Sequence, residues 1–151
     1  MTIPIMPRLF GLCFSSIALF AAQVGGAAPL VLHCPSQYPD EKLIARLRQQ
    51  GWYTPAPGAA GSPLNQVGAL TGPAEQNGEL RGSELTNGRG RRFNFYGTEE
   101  DGEKWVFCNY GDGPKDLRLM RAVPVSTKRC ETSETRSRVR GRLVAASISC
   151  D

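Results

Sequence analysis

The sequence predicts an α+β domain, mainly an antiparallel β meander of about six strands with one N-terminal helix and two disulfides. Three features carry that reading. One amphipathic stretch has an acidic start and a glycine stop, short alternating runs are separated by Gly-containing turns, and four cysteines remain once an export signal is set aside.

The export signal comes first along the chain. Arg8 precedes the apolar run "LFGLCFSSIALFAAQV" and the small residues "GGAAP", the pattern of a secretory signal peptide. That run is short for a membrane-spanning helix, which needs ~20 apolar residues. Cleavage is expected after Ala27, with Gly25 and Ala27 at the recognised positions, giving a signal peptide over 1–27 and one exported domain over 28–151. Cys13 lies inside the apolar run behind bulky Leu12, which argues against lipidation. Taking 27 residues from 151 leaves 124, enough for one modest core.

Only Arg8 leaves the charged set, so 18 Lys+Arg becomes 17 against 14 Asp+Glu. A mildly basic exported chain, with no basic tract interleaved with stacking aromatics, points away from nucleic acid. Cys34, Cys108, Cys130 and Cys150 remain, an even number that reads as two disulfides, with three pairings open. A metal site is disfavoured, since there is no C-x-x-C and His33 is the single imidazole.

"LVLHCP" (30–35) reads as a strand ended by proline, and "DEKLIARLRQQG" as a helix from about Asp40 to Gln50, with Leu43, Ile44 and Leu47 on one side and Gly51 as the stop. Residues 54–63, "TPAPGAAGSP", read as a mobile loop. Hairpins are then expected at Asn87-Gly88, as a type I′ turn between "ELRGSELT" and "RRFNFYG", and at Asp101-Gly102, between "RRFNFYG" and "KWVFCNYG". In the second, Phe93 would face Phe107 and Phe95 would face Trp105, four aromatics forming the heart of the core. Val106, Cys108 and Tyr110 would lie on the opposite face. That face needs cover, which the N-terminal strand and helix supply if Cys34 joins Cys108. "DLRLMRAVP" gives a further strand, with Leu117, Leu119 and Val123 on one side and Pro124 as its end. "TKRCETSETR" and "GRLVAASISC" complete the sheet.

No residue set points to catalysis. His33 reads as a strand residue, cystines are not nucleophiles, and a serine without a second histidine lacks the usual base. Glu99, Glu100, Asp101 and Glu103 cluster on an expected hairpin tip, where water levels carboxylate pKa values. "NGRG" lacks the lysine and following helix of a phosphate loop. Trp52 and Tyr53 read as a cap on the core beneath the helix, the alternative being an aromatic contact for a partner. Neither a cofactor nor a catalytic residue is expected.

Further residues carry a family resemblance: "CP" early in the exported part, "GW" after it, then "WVFCNY" and "LRLMRAVP" leading to a cysteine. The chain resembles a family of small exported bacterial proteins of unknown activity found beside type VI secretion genes. The matching positions are Cys34, Trp52, Trp105, Cys108, Tyr110, Leu119, Pro124 and Cys130, mainly core and cystine residues. The resemblance implies a Gram-negative periplasm and a link to toxin and immunity pairs. It thus implies an inhibitor of a secreted, cell-envelope-targeting toxin, such as a cell-wall or lipid hydrolase. The alternatives are a non-inhibitory envelope-associated accessory protein and a periplasmic lysozyme inhibitor. The Ser-Gly-x-x-Tyr loop of one lysozyme-inhibitor group is not found here.

"RSRVRGR" (136–142) places arginine at every second position. On one unbroken strand those arginines would share a face with Val144, Ala146, Ile148 and Cys150, so the alternation must break, most readily at Gly141. An antiparallel hairpin with Cys130 opposite Cys150 centres its turn near Arg140, allows a cross-strand disulfide and leaves Cys34 for Cys108. Arg138, Arg140 and Arg142 then project from a hairpin tip suited to an acidic cleft on a protein partner. The plainer alternative is a tip made soluble by charge.

Overall fold

The computed structural model describes residues 29–55, 58–76, 78–96, 102–112, 117–138 and 141–151. The signal-peptide reading of 1–27, and the tip residues Glu99, Glu100, Asp101 and Arg140, lie outside these described residues.

Alternation of apolar and polar side chains builds the strands, and their apolar faces set the layers. β1 (Leu30–Cys34) buries Leu32 and Cys34 and turns Val31 and His33 outward. α1 (Glu41–Gln49) starts where the Asp40 carboxylate accepts from the Leu43 backbone N–H at 2.8 Å, and its chain exits through Gly51 at φ 85°. Ile44 and Leu47 pack against the core, while Leu43 stays 39% exposed. The described strands then run β2 (Trp52–Tyr53), β3 (Leu64–Thr71), β4 (Gly78–Glu79), β5 (Ser83–Glu84), β6 (Arg91–Asn94), β7 (Lys104–Tyr110), β8 (Leu117–Val123), β9 (Arg129–Arg136) and β10 (Leu143–Cys150).

They form two antiparallel five-stranded sheets, in the orders β1-β10-β9-β6-β5 (sheet I) and β2-β8-β7-β3-β4 (sheet II). The core lies between them. Leu32, Phe93, Ala146 and Ile148 of sheet I meet Leu64, Val67, Val106, Tyr110 and Leu119 of sheet II. The disulfide Cys34–Cys108 joins the two layers, and Cys130–Cys150 links directly opposed residues of β9 and β10.

The expectation of about six strands is corrected to ten among the described residues. Three of the ten have only two residues, and β3 was concealed by Gly68 in its middle. That glycine sits opposite Phe107, whose ring would lie 2.5 Å from any Cβ there. The aromatic therefore requires the residue that makes the strand hard to read.

The expected hairpin between "RRFNFYG" and "KWVFCNYG" does not form. β6 pairs with β5 and β9, whereas β7 pairs with β3 and β8, so the chain changes sheets between them. Phe93 lies opposite Cys130 and, with Phe95, enters the inter-sheet core. Phe107 and Trp105 lie on the other side of sheet II, in a smaller cluster with Leu70, Met120 and Ala74. The heart of the core is thus the Val106, Cys108 and Tyr110 face. Alternation was a sound guide to which residues share a face, but it carries no information on which strand is the neighbour.

Two other expectations change in detail. At Asn87-Gly88 the loop spans 86–89: Leu85 accepts from the Gly88 N–H and donates to the Gly90 carbonyl, and Gly88 has φ 64°. This is a longer loop than a two-residue type I′ turn. Residues 58–63 are not left loose but hydrogen-bond to both sides of Tyr38, from Gly61 N–H to the Tyr38 carbonyl and from Tyr38 N–H to the Ser62 carbonyl.

Candidate functional site

The inward column of β6 and β9 changes character along its length. Phe93 and Cys130 are opposed in the core. One step further, the Arg91 N–H donates to Thr132 Oγ1 at 2.8 Å, and beyond that the Glu134 N–H donates to the Arg89 carbonyl at 2.7 Å. The alternation that buries Phe93 and Cys130 therefore places Arg91, Glu134 and Arg136 on the inward side, past the end of the apolar core. Gly90 makes this close approach feasible. A Cβ at that position would lie 1.9 Å from the Thr132 carbonyl oxygen.

Antiparallel pairing of β6 with β9 puts two hairpin tips at one end of the molecule, the 86–89 loop and the turn after Arg136. The second turn is closed by the Ser137 N–H on the Arg142 carbonyl at 2.7 Å and the Gly141 N–H on the Ser137 carbonyl at 3.1 Å, with Gly141 at φ 61°. Cys130 faces Cys150 in the register expected for this hairpin. A bulge between Leu143 and Ala145 adds a second break in alternation, burying Leu143 and leaving Val144 42% exposed.

Two adjoining surface concavities result. One, of about 420 Å³, is lined by Gly88, Arg89, Glu134, Thr135, Arg136 and Arg138. The other, of about 270 Å³, shares Glu134 and Arg136 and extends past Arg91 to Asn65, Gln66 and Val67 of β3. The groove thus runs from the paired tips of sheet I to the start of β3 in sheet II. Its four guanidiniums and one carboxylate give a formal net charge of +3.

Glu134 and Arg136 form an ion pair at 2.7 Å, and Arg136 also donates to the Gly141 carbonyl at 3.2 Å. The Glu134 side chain is only 10% exposed, so its charge belongs to the groove floor. Arg89, Arg91 and Arg138 are exposed and form no ion pair among the described residues.

The three arginines expected on the tip are described in part. Arg138 joins the groove, Arg142 lies 3.9 Å from Asp112, and Arg140 is outside the described residues. Arg89 and Arg91 were not singled out from the sequence. Their signal was the run "GRGRR" (88–92) beside the Asn87-Gly88 turn, a second arginine-rich tip whose nearness to 136–142 depends on strand order.

The other candidates lie elsewhere. His33 is exposed on the outer face of sheet I, opposite Ser147. Glu103 accepts from Trp105 Nε1 at 3.1 Å. Trp52 is buried in the core, whereas Tyr53 is 40% exposed with its ring 6.4 Å from that of Trp105. Among the described residues no group of His, Cys, Asp and Glu has the arrangement of a metal site.

The model of the type VI secretion system Tli immunity protein family matches residues 57–151. The chain belongs to that family. The matched range spans β3 to β10 and contains every groove residue named above. The Tli family match does not include β1, α1, β2 or Cys34, which the structure nevertheless joins to it through the Cys34–Cys108 bridge. No curated protein and no solved structure matches the chain.

Proposed function

We propose that this Tli family protein is a periplasmic immunity protein. It binds a type VI effector directed at the cell envelope, a cell-wall or lipid hydrolase, and blocks it by occupation, without chemistry of its own. The observation that carries this reading is the family match across both sheets, combined with a basic groove that the fold holds open at one end. Two disulfides suit an oxidising compartment, and among the described residues no helix is long and apolar enough to cross a membrane. The signal-like residues 1–27 supply the route of export in this reading.

The contact surface includes the tip that carries Arg138, Arg140 and Arg142. Inhibition of this kind needs a rigid scaffold with a complementary charged patch, which steers encounter and fixes register. Co-expression provides the test. Cells carrying a periplasmically targeted effector from a neighbouring gene are expected to survive when this protein is exported with it, and the pair is expected to co-purify. Absence of both protection and complex would remove the immunity reading.

A further inference from the structure

We infer that the groove between the 86–89 loop and the 136–142 turn is the seat of an acidic segment of the toxin, held by Arg89, Arg91 and Arg138 and aligned by Glu134. This inference rests on the immunity reading and specifies where, and by what chemistry, the toxin is engaged.

Charge is the first argument. Four guanidiniums and one carboxylate leave a net +3 in a concavity, and a basic recess between protein walls concentrates field toward an acidic partner more effectively than scattered arginines on a convex surface. Geometry is the second. A guanidinium presents a planar fork that matches a carboxylate in bidentate fashion, and three of the four arginines have no ion-pair partner among the described residues. Rigidity is the third. The Arg89 carbonyl and the Arg91 N–H are both bonded to β9, and Gly90 lets the backbones approach closely, so the arginines project from a fixed base. Less ordering is then needed when the partner arrives.

Glu134 makes the groove selective. Already paired with Arg136 on the floor, it repels a carboxylate placed deep and accepts a hydrogen-bond donor there. The fitting segment therefore carries acids toward the rim and a donor, such as an amide or hydroxyl, toward the floor. A strand or loop with alternating acidic and polar residues meets both demands. A uniformly anionic surface does not.

The experiment uses the exported protein with both disulfides formed and the effector encoded beside its gene. Binding is measured for wild type, for the R89E/R91E/R138E variant and for E134Q, with anionic phosphatidylglycerol vesicles as a second probe. Thermal melting is measured alongside to show that the variants fold. The triple reversal is expected to weaken effector binding by about a hundredfold or more, chiefly through slower association, and to flatten the salt dependence of that association. E134Q is expected to lose the discrimination of wild type and accept scrambled acidic peptides that wild type rejects, and unchanged discrimination would overturn the aligning role of Glu134. Unchanged effector affinity in a folded triple variant would overturn the groove assignment and leave the immunity reading standing. Loss of vesicle binding with effector binding intact would also overturn it, in favour of a lipid surface. A wild-type protein that fails to bind the effector at all would remove the immunity reading and this inference with it.

Discussion

β6 and β9 lie side by side, yet the two ends of their inward column do opposite work. At one end Phe93 and Cys130 are 2% and 0% exposed, and Cys130 is tied to Cys150. At the other, the same column ends in Arg91, Arg89, Glu134 and Arg136 around an open groove. The difference shows how one pair of neighbouring strands supplies both stability and a recognition surface: apolar side chains are buried where the sheets face each other, and charged ones emerge where the sheets end. Backbone pairing of β6 with β9 stops at Arg92 and Glu131, and the bonds from the Arg91 N–H to Thr132 Oγ1 and from the Glu134 N–H to the Arg89 carbonyl tie the arginine end to the cystine end.

That contrast is open to attack from either end, and the effects on stability should fall in a definite order. Replacing Cys34 and Cys108 together by serine should cost most. In the chain-entropy picture a loop closed across 74 residues contributes about 4.5 kcal/mol, against about 3.3 kcal/mol for the 20-residue separation of Cys130 and Cys150. Thermal or denaturant unfolding of the two double variants, compared with the oxidised wild type, checks that order.

Gly90→Ala should come next, at about 2 kcal/mol, because the new methyl meets the Thr132 carbonyl at 1.9 Å and the strands must part. The same shift moves Arg89 and Arg91, so a loss of partner affinity should accompany the lower unfolding midpoint. A variant that loses neither would show the tight contact to be dispensable.

Smaller still is an alkaline effect in the core. Burial, and secondarily the neighbouring Tyr38, raise the pKa of the Tyr110 phenol well above the ordinary tyrosine value. A raised folded-state pKa means the phenol is neutral in both states below about pH 10, so its contribution is fully present there. It is lost as pH rises further, when the unfolded chain can ionise and the folded one resists. Stability measured against pH should therefore decline above about pH 10, and Tyr110→Phe should flatten that decline. The substitution should cost little at neutral pH, since the Tyr110 hydroxyl has no hydrogen-bond partner among the described residues.

Least costly to the fold, within about 0.5 kcal/mol each, should be Arg89→Glu and Arg138→Glu, since both side chains are exposed. These are the changes expected to affect partner binding most. A melting curve and a binding isotherm on the same sample would separate the two roles.

Much of the architecture was legible in the sequence because it rests on local rules. The Asp40 cap and Gly51 stop bound the helix, alternation assigns Val106, Cys108 and Tyr110 to one face, and the 130–150 register fixes a hairpin centred near Arg140. What was missed depends on which strands become neighbours. Gly68 hid β3 because its role, making room for the Phe107 ring, exists only after the sheet forms. β6 and β7 follow one another in sequence and alternate well, but they belong to different sheets, and nothing local reports that crossing. The groove was half visible for the same reason. The arginines at 136–142 stood out as a run, whereas Arg89 and Arg91 gained significance only when β6 was placed beside β9.

Amide hydrogen exchange of the protein with and without its effector tests the separation of the two ends most directly. Slowed exchange is expected only over residues 86–91 and 134–142 and at the start of β3. Amides near Tyr96 and Val125, exposed by 75% and 53%, should exchange unchanged. A footprint centred on Tyr96 and Val125, or on the outer face of sheet I, with the arginine tips left unprotected, would contradict it.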